Sequence, residues 1–278
     1  MLDKIKKLTL KALMHDDKLM YGLVLKGGNA LQLVYDITDR ASMDIDFSIE
    51  GDFSELDVQR IRSTLDALLN EQFQAEQLVV FDVRFVEKPK TNAVKEWKGY
   101  NIEFKVTHQN DYYPEDIEKT RREAIKVLDQ STKFSVDISS FEYIASAKKH
   151  DFDGTVMRVY TPEMIILEKL RALCQSIPEY QQIVPSASTK GRARDFYDIW
   201  NLCNEFQIDI SSAENTALIA EIFKAKRVPL DFLKLIAVYK DLQKENWLSV
   251  EDTLSSNNKG FDFYYGFTME LIDRIKIP

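Results

Sequence analysis

Three short stretches of this sequence carry residue types and spacings that could do chemistry. The first is Arg40-Ala-Ser42-Met-Asp44-Ile-Asp46-Phe47. Side chains on a strand alternate between faces, so Asp44 and Asp46 share one face while Ile45 and Phe47 share the other. Two carboxylates side by side repel each other unless a cation lies between them. Paired Mg²⁺ ions held by shared carboxylates are the usual arrangement for in-line phosphoryl chemistry. A solvated acidic edge strand has the same spacing, so the pair alone leaves both readings open.

The second stretch, Lys26-Gly27-Gly28-Asn29, stands between the apolar run Leu23-Val24-Leu25 and a helix expected over Asn29 to Tyr35. Glycines at a strand-to-helix turn let the backbone come close to a phosphate. They also make an ordinary tight turn, and neither G-x-x-x-x-G-K-[ST] nor G-x-G-x-x-G occurs. The third stretch is split. Lys169, in Glu168-Lys169-Leu170-Arg171-Ala172, has Ile165, Ile166 and Leu173 as its helical neighbours. Its stem therefore follows an apolar stripe, and its ammonium either snorkels to solvent or is kept for a purpose. Asp195 and Asp198, three apart in Arg194-Asp-Phe-Tyr-Asp198, share a face at the start of the next helix. Acids there also complement the helix dipole.

The elements that must position these residues fall into two textures. The first half alternates helix and strand. Helices are expected over 3–16, from Ser54 to Phe73 behind a capping box with Asp57, and from Glu115 to Leu128. Strands are expected at Met43–Ile49, Leu78–Val86, Tyr100–Val106, Phe134–Ile138 and Val156–Tyr160. Beyond residue 160 the pattern is almost all helical. Thr161-Pro162-Glu163 is a strong helix start, a capping hydroxyl followed by proline and an acid. That helix runs to about Cys174, Pro178 to Lys190 reads as a surface loop, and helices follow at 192–206, 213–226, 229–245 and 262–275. We expect a mixed sheet domain over 1–160 and a helical domain over 161–278.

A glycine turn opening a helix, followed about sixteen residues later by a D-x-D strand, is the layout of the DNA polymerase β-like nucleotidyltransferase fold. More specifically, Lys26-Gly-Gly-Asn-Ala-Leu31 with Arg40-Ala-Ser-Met-Asp44-Ile-Asp46-Phe47 resembles the opening motifs of the AbiEii/AbiGii toxin family. Glu168-Lys-Leu-Arg-Ala-Leu173 and Arg192-Ala-Arg-Asp-Phe-Tyr-Asp-Ile199 resemble its closing motifs. The resemblance spans about Gly22 to Leu202. It implies an α+β fold, a mixed sheet with flanking helices and then a C-terminal helical domain. It implies metal-dependent transfer of NMP from an NTP to an acceptor hydroxyl, with Asp44 and Asp46 holding two Mg²⁺ ions. A third acid belongs on a neighbouring strand; Glu103, in Asn101-Ile-Glu-Phe104, is weighed ahead of Asp137. Lys26, Gly27, Gly28, Arg40 and Ser42 fall at the nucleotide's phosphates, and Lys169 and Asp195 in the active site. Lys169 can neutralise charge on the triphosphate. Asp195 could orient Lys169 or act as a base for the attacking hydroxyl.

The same resemblance implies a toxin of a toxin–antitoxin or phage-defence pair, with an antitoxin encoded separately that need not bind it. It makes tRNA the first choice of acceptor. Transfer to a small molecule such as an antibiotic, and a non-catalytic interaction protein of the same fold, stay open beside it.

Composition narrows the field. The 278 residues include 37 basic and 45 acidic side chains, a formal charge of −8, which excludes a basic coat but not a local basic groove. Lys88, Lys90, Lys95 and Lys98 with Lys119, Arg121 and Arg122 are one candidate rim for RNA, and equally a solvated face. Two cysteines and three scattered histidines offer neither a disulfide framework nor a hydrolytic triad. No stretch approaches a membrane span, and a cytoplasmic location is expected. The aromatic run Phe261 to Phe267 reads as core before it reads as a base-stacking surface, and Trp97, Trp200 and Trp247 as core or interface.

Overall fold

Leu2 opens an amphipathic helix, α1 (Leu2–Met14), that buries Ile5, Leu10, Leu13 and Met14. The computed structural model describes residues 1–37, 44–89, 94–127, 130–254 and 258–275. After α1 comes α2 (Asp17–Gly22), a short helix that the sequence pattern did not separate; the Asp16 side chain accepts from Leu19 N at 3.0 Å and caps it. The chain continues through β1 (Val24–Lys26), α3 (Gly27–Leu33), β2 (Ile45–Ser48) and α4 (Glu55–Gln74). The expected capping box is formed: Ser54 Oγ accepts from Asp57 N and the Asp57 carboxylate accepts from Ser54 N, both at 3.1 Å.

Next come β3 (Leu78–Lys88), β4 (Gly99–His108), α5 (Ile117–Arg122), β5 (Phe134–Ser139), β6 (Lys148–Phe152) and β7 (Thr155–Val159). The helix expected over 115–128 stops at Arg122. Ile125 N instead donates to Val106 O at 2.8 Å, so the chain leaves the helix to bond the backbone of β4. Strand β6 was not anticipated because Lys-Lys-His-Asp gives no apolar alternation. Its signal was the turn: Asp153 and Gly154 both have positive φ, 49° and 80°, as a two-residue hairpin requires.

The seven strands form one mixed sheet in the order β3-β4-β5-β2-β1-β7-β6. Strand β2 is central, antiparallel to β1 and parallel to β5, and Asp46 is level with Lys26 on one side and Asp137 on the other. Ile45 and Phe47 are buried at 3% and 0% exposure, as the alternation requires.

Among the described residues no strand follows β7. The helices are α6 (Pro162–Gln175), α7 (Ala193–Phe206), α8 (Ala213–Ala225), α9 (Phe232–Leu235), α10 (Lys240–Lys244), α11 (Trp247–Glu251) and α12 (Phe261–Arg274). Thr161 caps α6, accepting from Met164 N at 3.3 Å. The continuous helix expected over 229–245 is broken by a 3-10 turn at Ile236–Tyr239. Past the break, fully buried Gln243 accepts from Arg192 N at 3.1 Å and donates to Ser176 Oγ at 2.9 Å. These bonds fix the entry to α7.

The aromatic run at the start of α12 is core: Phe261 and Tyr264 are buried and pack against Phe196, Tyr197, Trp200 and Trp247. No helix among the described residues is long and apolar enough to cross a membrane. Both cysteines are buried free thiols.

A buried ionic cluster ties the helical half to the sheet half. Arg171 of α6 grips Glu142 with both terminal nitrogens, at 2.7 and 3.1 Å. Lys226, at the end of α8, donates to the carbonyls of Glu96 and Ser140 at 2.7 and 2.5 Å. Breaking such a pair strands a buried charge and costs about 3–5 kcal/mol. The two halves are therefore held in register by charge as well as by apolar packing.

Candidate active site

The strand-to-helix turn comes first. Gly27 has φ 66°, a left-handed conformation that a side chain resists. A Cβ there would also lie 2.8 Å from Asp46 Oδ2. Gly27 is thus required twice, by its backbone and by the close approach of the acid. Gly27→Ala is expected to lower stability by about 1–2 kcal/mol from the backbone alone and to displace the Asp46 carboxylate; a denaturation curve and a transfer assay check the two effects separately. Asn29, fully buried, donates its side-chain amide to Asp44 O and so pins the start of β2 to α3.

Asp46 faces the cleft beside Asp137, its neighbour in register on β5. Among the described residues the Asp46 carboxylate has no hydrogen-bond or ion-pair partner. Burial pushes it up to about 7; Lys26 opposes this, while Glu168, Asp137 and Asp44 add to it. Asp44 is likewise raised, by burial and by Asp137. Asp137 is held by fully buried Asn101, whose amide donates to it at 2.7 Å, and Lys88 stands 3.8 Å away.

Glu103 lies on the same sheet face as Asp137 but on β4, with β5 standing between it and β2. Its carboxylate pairs with Lys133 at 3.1 Å, and it does not line the cleft. The order of strands, which no local pattern reveals, separates it from the other acids.

Lys169 projects from α6 into the same cleft. Its ammonium donates to Asp195 Oδ1 at 3.0 Å and to Asp198 Oδ2 at 2.6 Å. Burial would lower its affinity for a proton, but the two aspartates outweigh burial and raise it. Asp195 also accepts from Arg192 Nε at 2.5 Å. Burial would raise the Asp195 carboxyl, yet Arg192 and Lys169 together hold it at about 2. Asp198, placed by its spacing on the same face as Asp195, shares Lys169 with it.

Lys26 has a different setting from the one its motif suggested. Its ammonium is taken by Glu168 at 2.5 Å and Glu142 at 3.5 Å. Glu142 itself is 3% exposed and surrounded by Arg171, Lys26 and Lys226. Sequence reasoning did not single out Glu142 or Lys226; their partners lie far away along the chain, and nothing local marks them. Arg171 sits inside the Glu168-Lys-Leu-Arg motif and could have been found there. Arg40, Ser42 and Lys90 lie outside the described residues.

One cleft of about 930 Å³ joins these groups, with Gly27, Gly28, Asp46 and Asp137 on the sheet side and Lys169, Asp195 and Asp198 on the helical side. Among the described residues nine basic and six acidic side chains line it, which makes this lining positive in a chain of charge −8. It can therefore accept a polyanion, and its carboxylates offer hard oxygen donors. Among the described residues no three His, Cys, Asp or Glu side chains already form a closed metal cage. Mg²⁺ does not need one: it keeps several waters and is commonly held by one or two carboxylates plus substrate phosphates. The unpaired Asp46, whose charge burial and neighbouring Asp137 oppose, fits such an ion.

A family profile described as "Nucleotidyl transferase AbiEii toxin, Type IV TA system" matches residues 9–265. Among solved structures, JHP933 from Helicobacter pylori is 16% identical, with 98% of this chain and 89% of that chain covered and a TM-score of 0.51, a likeness of fold. A candidate nucleotidyltransferase of Helicobacter pylori is 16% identical, covering 98% of this chain and 91% of that chain, with a TM-score of 0.48. An antigenic nucleotidyltransferase-like protein from Paracoccidioides brasiliensis is 16% identical over 82% of this chain and 93% of that chain, with a TM-score of 0.37. No curated protein matches the chain.

Proposed function

We propose that this chain, which belongs to the AbiEii family of nucleotidyltransferase toxins, transfers NMP from an NTP to an acceptor hydroxyl. It acts in the cytoplasm as the toxin of a toxin–antitoxin or phage-defence pair, and its antitoxin is encoded separately and need not bind it. The observation that carries the reading is the shared cleft: the Asp46 and Asp137 carboxylates from the sheet half and a clamped lysine from the helical half face one positive cavity. In this reading a sheet domain over 1–160 and a helical domain over 161–278 each supply one side of the cleft.

In this reading Asp44, Asp46 and Asp137 hold Mg²⁺, two ions in the full complex. Asp137 takes the place weighed for Glu103, since it adjoins Asp46 in register. Bound Mg²⁺ supplies charge neutralisation at the phosphate under attack and at the leaving pyrophosphate. The Gly27–Gly28 backbone approaches the phosphates, and the family resemblance assigns Arg40 and Ser42 to the same group. Lys26 is taken up by Glu168 and Glu142, so it braces the glycine turn rather than binding the nucleotide with its ammonium. Lys169 meets the developing negative charge of the triphosphate. Asp195, with its carboxyl near 2, is a poor proton acceptor at neutral pH and is assigned to orient Lys169. Lys190, Arg192 and Arg194 line the cleft where the phosphates of an RNA acceptor would enter; tRNA as that acceptor rests on the family resemblance.

The test incubates the protein with labelled NTPs, Mg²⁺ and total RNA beside Asp44→Ala and Asp46→Ala controls. Label should enter RNA only with intact aspartates. Label on a small hydroxylated molecule instead would move the acceptor to that class, and label that ignores both substitutions would end the reading.

A further inference from the structure

We propose that Trp97 is the platform on which the base of the bound NTP stacks. This rests on the reading of the cleft as a nucleotidyl-transfer site and names a residue that decides how the nucleotide is held there. The cleft wall is mostly charge and backbone, with two aromatic side chains, Trp97 and Tyr100. Tyr100 is 1% exposed and its hydroxyl is committed to Asp52, so its ring is a buried wall. Trp97 is half-buried and lines the cleft from a 3-10 turn, Lys95–Trp97, just before β4. One part of the indole packs on the core beside Tyr180 and another lines the cleft, whereas Trp200 and Trp247 belong to the aromatic cluster of the helical half.

The ring is also held firmly. It packs against Tyr180 with centroids 5.7 Å apart at 56°. Tyr180 is fully buried; its hydroxyl donates to Lys226 O at 3.0 Å and accepts from Gln175 Nε2 at 3.1 Å. Lys226 Nζ in turn donates to the carbonyl of Glu96, the residue before Trp97, at 2.7 Å. The turn and the ring are therefore fixed by the helical half from two sides. A preformed aromatic surface binds a base without first paying for its own ordering. Stacking tolerates any base, since every base has a π face.

The geometry of the cleft gives the rest. Trp97 precedes Gly99, which pairs with Ser139 of β5, two residues beyond Asp137. Ser139 accepts from Lys26, the residue before the glycine turn, at 3.4 Å. A nucleotide whose phosphates lie at Gly27–Gly28 can thus extend its base along β5 toward the indole within one continuous cavity.

The experiment uses the full chain with Mg²⁺ and each of the four ribonucleoside triphosphates, reading tryptophan fluorescence and transfer kinetics. NTP binding should quench the wild-type protein, and Trp97→Phe should remove the quench while holding KM for NTP within about threefold. Trp97→Ala should raise that KM about tenfold or more with kcat little changed, the mark of lost uniform binding. A quench that persists in Trp97→Phe, or a KM within twofold of wild type in Trp97→Ala, overturns the proposal. So does a rise in KM confined to the acceptor, which would give the ring to the acceptor strand. If no NTP binds the wild-type protein, the nucleotidyl-transfer reading fails and this one with it; if NTP binds and transfers but is indifferent to Trp97, this one fails alone.

Discussion

Asp46→Asn is expected to lower the transfer rate by about 10³-fold, the scale for losing one charged element of a preorganised site, while making the metal-free protein more stable at pH 8. Both effects have one origin. The carboxylate is buried beside Asp137, Asp44 and Glu168, and no described residue pairs with it. Its folded carboxyl sits at about 7, above the ordinary carboxylate range of roughly 4. Between those values the folded chain holds a proton that the unfolded chain has released. The stability gained from that proton is complete below about pH 4 and is lost as the pH rises through 7. Above pH 7 the folded protein carries an uncompensated charge that the amide lacks. The thermal midpoint of Asp46→Asn in EDTA should therefore exceed the wild-type value by several degrees at pH 8, and the gap should close near pH 4.5. Mg²⁺ should raise the wild-type midpoint and leave the variant unmoved. A variant no more stable than wild type at pH 8 would mean that the acid is not strained in the folded state, and the metal-site assignment would lose its main support.

Lys169→Met is expected to reduce transfer by about 10²–10³-fold and, unlike Asp46→Asn, to destabilise the fold. Lys169 is the shared partner of Asp195 and Asp198 within a buried face. Removing it leaves, among the described residues, Asp195 with Arg192 and Asp198 with Arg194 at 4.0 Å. Leaving a buried charge without its partner costs about 3–5 kcal/mol. The double variant Lys169→Met with Asp198→Asn removes the stranded charge as well, so it should recover much of the stability and none of the activity. That separation distinguishes a lysine that acts on the nucleotide from one that only joins two helices. Recovery of transfer along with stability in the double variant would assign Lys169 to structure.

Most of the local structure could be read from spacing. Ser54 with Asp57, and Thr161 with Pro162, marked two helix starts where they are found, because a cap and its partner lie within one turn. The alternation of Ile45, Asp46 and Phe47 placed the apolar pair in the core and Asp46 toward the cleft, as β2 does, for the same reason. Errors came where a distant group outbid the local pattern. The helix at Glu115 gave way to a bond with β4, the helix at 229–245 was broken at Ile236–Tyr239, ahead of a glutamine that serves α7, and the hairpin strand β6 was polar enough to hide.

The sequence by itself therefore determined the family, the glycine turn and the facing of Asp46 on β2, since each is written in residues close together, while the pairing of Lys169 with Asp195, 26 residues on, was legible only through the family motifs. Only the tertiary structure decided that Asp137 rather than Glu103 stands next to Asp46, that Lys26 and Arg171 are drawn to Glu142, and that Trp97 faces the cleft. Those outcomes depend on which strands become neighbours and on where α6 and α8 meet the sheet. They are settled by packing between segments tens of residues apart, where the energies of many contacts compete and no short spacing records the winner.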